Sequence, residues 1–300
     1  MRSVRGVFRR VRALALPVSA ALMLTLLTGA FGLEAQVNGS TQAAALPAIP
    51  TQRTNTVLDL PDLVVKDGRQ LASLPMRWHG RDWILLAGAV AIVGVVAAFD
   101  RRLLDAAQAK NASADWVTSR LEPFGGTESF GVPVVFYLTG ALTHSSHERQ
   151  VGLDCILASG FASGLVTPLI QRVGRSRPSA GQGTYSFDGG TAGHFPSGHS
   201  TQAFALASVI AASYSSPWVK SGAYTVASVV AFARVRHNAH FPSDVLAGAL
   251  IGTAIGCTIV RLNRSSREAS TAPGESRRAQ IMLFPGFDER GPSLGVRASF

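Results

Sequence analysis

Asp244-Val-Leu-Ala-Gly248-Ala-Leu-Ile-Gly252-Thr-Ala-Ile-Gly256-Cys-Thr-Ile-Val-Arg261 is the stretch that decides the fold. It carries no charge between its ends and reads as a helix. Gly248, Gly252 and Gly256 recur every four residues, so they share one helical face and leave a smooth groove for close packing. Five more apolar runs precede it: Trp83–Phe99, Ser129–Leu142, Val151–Gln171, Thr201–Tyr214 and Trp218–Ala233. All are rich in Ala, Gly, Val and Ser, the residues that let helices approach within a membrane. The expectation is an all-α, six-helix bundle embedded in a membrane, with a soluble all-α bundle as the alternative.

Composition agrees. Of 300 residues, 47% are hydrophobic and only 15% charged, an apolar balance for a chain whose solvent is water. The net charge of +10 raises the question of nucleic acid. The basic residues, however, fall in short groups at the ends of apolar runs (Arg2–Arg12, Arg101–Arg102, Arg172–Arg177, Arg261–Arg278) and form no continuous groove, which excludes that partner and fits loops flanking membrane spans. Cys155 and Cys257 lie inside apolar runs away from other metal-ligand types, so neither a disulfide framework nor a zinc site is expected.

The ends of the chain differ from its middle. A basic stretch, Arg2 to Arg12, followed by an apolar run from Ala13 to about Gly32 reads as an export signal over 1–35, or as an uncleaved anchor. Residues 36–81, interrupted by Pro47, Pro50, Pro61 and Pro75, read as an irregular linker. The bundle is placed at 82–263. Residues 264–300 read as a polar tail in which Gln280–Phe287 and Ser293–Phe300 flank a turn, the pattern of a short β-hairpin.

The chemistry concentrates in three segments: Gly174-Arg-Ser-Arg177-Pro178 after the third run, Phe195-Pro-Ser197-Gly198-His199 before the fourth, and Arg234-Val-Arg-His-Asn-Ala-His240-Phe-Pro-Ser-Asp244 between the fifth and sixth. In an antiparallel bundle all three emerge on the same side. Arg177 and Arg234 offer planar, permanently charged forks for phosphate oxygens. Ser197 and the Gly198 amide open a helix whose N-terminus favours an anion. His240 and Asp244, four apart, would share a helical face, the carboxylate fixing the tautomer of a nucleophilic imidazole. His199 can serve as acid and base. His194 and His237 lie nearby without the same partner pattern.

These segments resemble the type 2 phosphatidic acid phosphatase superfamily, which also includes bacterial acid phosphatases and vanadium haloperoxidases. Its signature runs Lys-x6-Arg-Pro, Pro-Ser-Gly-His, and Ser-Arg-x5-His-x3-Asp. Arg177-Pro178 match the end of the first element, Pro196–His199 the second, and Arg234, His240 and Asp244 the third, within a resemblance covering roughly residues 80–262. It implies a metal-independent phosphatase acting on a lipid phosphate or diphosphate through a phosphohistidine. His240 would be the nucleophile, His199 the general acid and Asp244 the orienting carboxylate, with Arg177, Ser197, Gly198 and Arg234 binding phosphate. The alternatives are a haloperoxidase that needs vanadate, and a weakened lipid-phosphate-binding member.

Two positions depart from the signature. Ala233 stands before Arg234 in place of Ser, and Ile170 stands where the family has Lys. Arg172 could replace that lysine only if the helix ended before it, because two residues along a helix points elsewhere. Topology also leaves two arithmetics. Arg261, Arg264 and Arg267 suggest a cytoplasmic C-terminus, hence an inner-membrane protein with its site facing the periplasm. Counting six spans backward then puts residues 36–81 inside, whereas a cleaved export signal puts them outside. One run would then not be a true span.

Overall fold

The computed structural model describes residues 55–109, 111–187, 193–271, 280–288 and 291–299. The export signal expected at 1–35 lies outside them, as does the first part of the expected linker. The helices are α1 (Leu60–Ser73), α2 (Gly80–Ala98), α3 (Asp100–Ala107), α4 (Ala112–Leu121), α5 (Gly131–Leu142), α6 (Ser146–Val173), α7 (Gly198–Ser213), α8 (Pro217–Arg236) and α9 (Pro242–Thr271). All six expected runs are helices: α2 and α5 through α9.

The helices α1, α3 and α4 correct the six-helix count. Within the stretch read as an irregular linker, Pro61 is no breaker; it sits in the first turn of α1, where a missing N–H costs nothing. Leu60, Leu63 and Leu71 then fall on one face, and they pack against the central cluster that includes Val151, Leu157, Val209 and Ile259. Short α4 begins at Asn111, whose side chain accepts the N–H of Ala114 at 3.0 Å. A second correction concerns the tail. Helix α9 continues past Leu262 to Thr271, because no proline or glycine interrupts the chain before Pro273.

The glycine groove is occupied by α7. A Cβ on Gly248 would lie 2.5 Å from the Ser197 carbonyl oxygen, one on Gly252 2.2 Å from that of Thr201, and one on Gly256 2.4 Å from that of Ala205. Backbone therefore meets backbone along three turns, and the Ser200 hydroxyl donates across the seam to the Val245 carbonyl at 2.7 Å. At the far end of α6, Gly174 takes a left-handed conformation (φ 61°) and its N–H caps the Ile170 carbonyl at 3.1 Å. The sharp stop aims the following arginines at the start of α9.

Among the described residues, three helices are long and apolar enough to cross a membrane: Gly80–Ala98, Ser146–Val173 and the Pro242–Arg267 part of α9. Large apolar side chains on α2, including Trp83, Ile84, Leu86, Val90, Ile92 and Val95, are exposed, as expected of a helix whose solvent is lipid. Helices α5 and α7, with 12 and 16 residues, fall short of the ~20 that a span needs, so not every apolar run counts as a crossing. The described residues up to Asn263 form one compact unit, and those from Arg264 onward a second. In the second, β1 (Gln280–Asp288) pairs antiparallel with β2 (Gly291–Ser299), giving the expected hairpin.

The seam makes a stability prediction. Gly252→Ala should destabilise the detergent-solubilised protein by roughly 1–3 kcal/mol, because rigid backbone cannot yield to the new methyl group. Gly160→Ala on α6, where a Cβ would meet nothing within 4 Å, should be neutral or stabilising by up to about 1 kcal/mol. Thermal unfolding of the two variants side by side checks the contrast.

Candidate active site

Three chain segments converge at one end of the bundle, as the parity of the helices implied. The chain leaving α6 delivers Arg175, which is 2% exposed. Its Nη1 donates to Asp244 Oδ1 at 2.5 Å and to the Ser243 hydroxyl at 2.8 Å; its Nη2 donates to Asp100 Oδ2 at 2.8 Å and to the Thr184 carbonyl at 2.6 Å. The guanidinium carbon also lies 4.2 Å from the centre of the Phe241 ring. Asp100 closes the network by accepting the Ser243 N–H at 2.8 Å and its hydroxyl at 2.6 Å.

The segment before α7 is tied to the same place. The His194 N–H donates to the Arg175 carbonyl at 2.9 Å, and the Ser197 N–H to the Asp244 carbonyl at 3.0 Å. Ser197 caps α7, its hydroxyl accepting from the Ser200 N–H. A Cβ on Gly198 would meet nothing closer than Val166 Cγ1 at 3.9 Å. Packing thus places no demand for glycine there, and close approach of a ligand to the helix start is the remaining reason for it.

The third segment is the turn from α8 to α9. Asn238 takes φ 58°, and its side chain accepts from Gln108 Nε2 at 2.8 Å. The N–H groups of Ala239 and His240 both donate to the Arg234 carbonyl, at 3.0 and 3.2 Å. His240 is thereby fixed before α9 begins, which corrects the expectation that His240 and Asp244 sit together on one helix. Pro242 starts the helix, and only Asp244 lies in its first turn. The two side chains still meet: His240 Nδ1 is 3.8 Å from Asp244 Oδ2, beyond a hydrogen bond, while Oδ2 accepts the Phe241 N–H at 2.9 Å. His240 Nδ1 is buried without a hydrogen-bond partner.

The imidazoles of His240 and His194 are both held below their ordinary pKa. Burial, against the pull of Asp244, holds the His240 imidazole below its ordinary pKa, and Arg234 and Arg177 push it further down. His194, whose ring centre lies 6.0 Å from that of His240, is pushed down to about 4 by burial first and then by the charge of Arg177. A neutral imidazole is the form that can attack an electrophile.

The remaining expected residues divide. Arg177 is exposed at the mouth, close enough to act on both histidines. Arg234 is paired with Glu122, while its Nε is buried without a partner. Glu122 also takes His237 Nδ1 at 2.6 Å, and His237 Nε2 lies 3.4 Å from the Thr118 hydroxyl, so His237 belongs to this outer contact. His199 stands on the first turn of α7 against the Glu122–Gly125 turn. A Cβ on Gly125 would lie 2.8 Å from its carbonyl oxygen, and one on Gly126 3.2 Å from its Nε2. Helix α6 runs through Val173, so Arg172 stays in its last turn, exposed, and the early helix end that would swing it toward the site does not occur. Ile170 is half-buried.

Sequence reasoning missed Asp100, Arg175 and Glu122. Arg175 stood inside a quoted segment, overshadowed by Arg177. The available signal for Asp100 was a carboxylate placed directly after an apolar run; for Glu122 it was the Glu-Pro-Phe-Gly-Gly turn. Among the described residues, no group of three or more His, Cys, Asp or Glu side chains is placed to hold a metal ion.

Residues 152–268 match the family described as PAP2 superfamily. Over 81 residues, 25% of this chain, the sequence is 43% identical to a lipid A 1-phosphatase of Porphyromonas gingivalis, of which it spans 18%. The chain thus covers about a fifth of that relative's length. Two crystal structures are similar. One is Aquifex aeolicus LpxE, with a TM-score of 0.43 and 21% identity over 53% of this chain and 93% of that one. The other is a transmembrane PAP2-type phosphatidylglycerolphosphate phosphatase from Bacillus subtilis, with a TM-score of 0.48 and 23% identity over 60% and 96%.

The two arginines should separate under mutation. Arg175→Met strands two buried carboxylates and should cost about 3–5 kcal/mol of stability. Arg177→Met, at an exposed position, should leave the thermal midpoint within error. Melting curves of both variants in one detergent decide the matter.

Proposed function

From residues 152–268, which belong to the PAP2 superfamily, we propose that this chain is a metal-independent phosphatase that hydrolyses a lipid phosphate or diphosphate through a phosphohistidine on His240. The observation that carries the reading is the buried His240 held beside Asp244, with Arg177, Arg234 and the N-terminus of α7 gathered around it.

In this mechanism His240 Nε2 attacks phosphorus, a P–N bond forms and the P–O bond to the leaving group breaks. Asp244 Oδ2 faces Nδ1 and stabilises the ring as it becomes positive; the 3.8 Å gap tightens when substrate fills the site. His199, lowered to about 4 by burial and then by Arg234, takes up a proton as the phosphate's negative charge arrives beside it. It gives that proton to the leaving oxygen, then takes one from the water that attacks the phosphohistidine and releases phosphate. Arg177, the partnerless Nε of Arg234, the Ser197 hydroxyl and the Gly198 N–H bind the phosphoryl oxygens. The Ser197 N–H is already engaged by the Asp244 carbonyl, so its hydroxyl does this work. His194 is a further candidate for substrate contact.

Helices with lipid-facing surfaces beside the site favour amphiphilic substrates: phosphatidic acid, phosphatidylglycerol phosphate, an isoprenyl diphosphate or a lipid A phosphate. The last is the substrate class named for the Porphyromonas gingivalis relative. The site lies at the N-terminal end of α9, while Arg261, Arg264 and Arg267 lie toward its C-terminal end. By the positive-inside rule this arrangement supports an inner-membrane chain with its site facing the periplasm.

The test is phosphate release from these four lipids in detergent with EDTA present. Release that survives EDTA, disappears in His240→Ala and falls roughly 10²–10⁴-fold in His199→Ala supports the reading. Acid-labile, base-stable label should be trapped on His240. Abolition by EDTA, label on serine, or halide oxidation with peroxide and vanadate in place of hydrolysis overturns it. On the same substrate, Ile170→Lys should raise kcat/KM by roughly 10- to 100-fold, the worth of one charge-assisted hydrogen bond to phosphate. Arg172→Ala should change it by less than about twofold, since its charge lies outside the site.

A further inference from the structure

We infer that Asp100 is a positioning residue for the His240–Asp244 pair, acting through Arg175 from an element outside the matched region. The inference rests on the reading of His240 as nucleophile. Arg175 alone would neutralise Asp244, its closest ionic partner at 2.5 Å. Asp100, at 2.8 Å from the same guanidinium, takes half of that fork. Two carboxylates sharing one cation leave an excess of one negative charge, and both acids are essentially inaccessible to water, at 0% and 1% exposure. That charge sits under the Asp244 edge facing His240. When the ring forms its P–N bond and keeps its Nδ1 proton, it changes from neutral to positive, and the excess charge offsets the change without solvent reorganising.

The network is also oriented for this task. Ser243 links Asp100 to the guanidinium by donating its hydroxyl to Asp100 Oδ2 while accepting from Arg175 Nη1. The Ser243 N–H holds Asp100 Oδ1, so the carboxylate plane is set by the first turn of the helix that bears Asp244. The charged and titratable groups facing His240 are Asp244 on α9, Arg234 on α8, Arg177 after α6, His194 before α7 and His199 on α7. Most of these oppose a positive ring, so a second buried carboxylate has a direct electrostatic purpose.

Asp100→Asn keeps the shape and removes the charge. It should lower kcat roughly 10- to 100-fold with KM within about twofold, and move the acid limb of the rate profile to lower pH, because the His240 imidazolium loses support. In an Asp244→Asn background the further effect on kcat should vanish, since Asp100 works through that residue. Titration of His240 by NMR with ring-13C histidine, assigned through His240→Gln, needs no turnover. A downward shift in Asp100→Asn upholds the coupling even if no lipid phosphate is hydrolysed, so the two readings fail separately. Wild-type kcat and titration in folded Asp100→Asn overturn the inference, as does a full additive loss in the double variant. If Asp100→Asn does not fold, Ser243→Ala carries the test: kcat reduced at least about threefold at unchanged KM supports it, and unchanged kcat overturns it.

Discussion

The fork of Arg175 is the interaction on which the rest of the structure depends. It draws together the end of α6, the junction between α2 and α3, and the first turn of α9, three places far apart in sequence. A guanidinium buried among two carboxylates, a hydroxyl and a backbone carbonyl is stable only as a complete set, because each partner left alone would be a buried charge or an unsatisfied donor. The set therefore switches on as a unit when the helices dock. His240 is placed by the same event, since its turn leads directly into the helix that carries Asp244.

Helix packing supplies the second constraint. Gly248, Gly252 and Gly256 bring α9 so close to α7 that carbonyl oxygens take the space of side chains. The Ser197 N–H can then reach the Asp244 carbonyl, and the start of one helix is locked to the start of another. The positions of the α7 N-terminus and of the carboxylate behind His240 are two consequences of a single backbone contact.

Much of this was legible in the sequence. The long apolar runs marked six of the helices, the spacing of the glycines marked the seam, and helix parity brought Arg177, Ser197, His199, His240 and Asp244 to one end. What the sequence hid has physical reasons. Pro61 looked like a breaker because its position within a turn is not visible until the helix start is known. His240 and Asp244 looked like a helical pair because spacing alone does not reveal that Pro242 begins the helix between them. Asp100 and Arg175 were overlooked because a buried ion pair is a tertiary fact: each residue, taken singly, resembles an ordinary charge at the end of an apolar run. The roles of the five converging residues are a matter for experiment; their convergence is a matter of geometry.

Glu122 gives the site a threshold. Arg234 is in contact with a carboxylate that also holds His237. An anion settling on Arg234 through more than its partnerless Nε must displace that internal rival, and a singly charged group brings no more than Glu122 already provides. A dianion brings twice the charge and more oxygens to match the fork. On the proposed role of Arg234, discrimination among phosphorus compounds becomes a contest between the incoming group and a tethered acid.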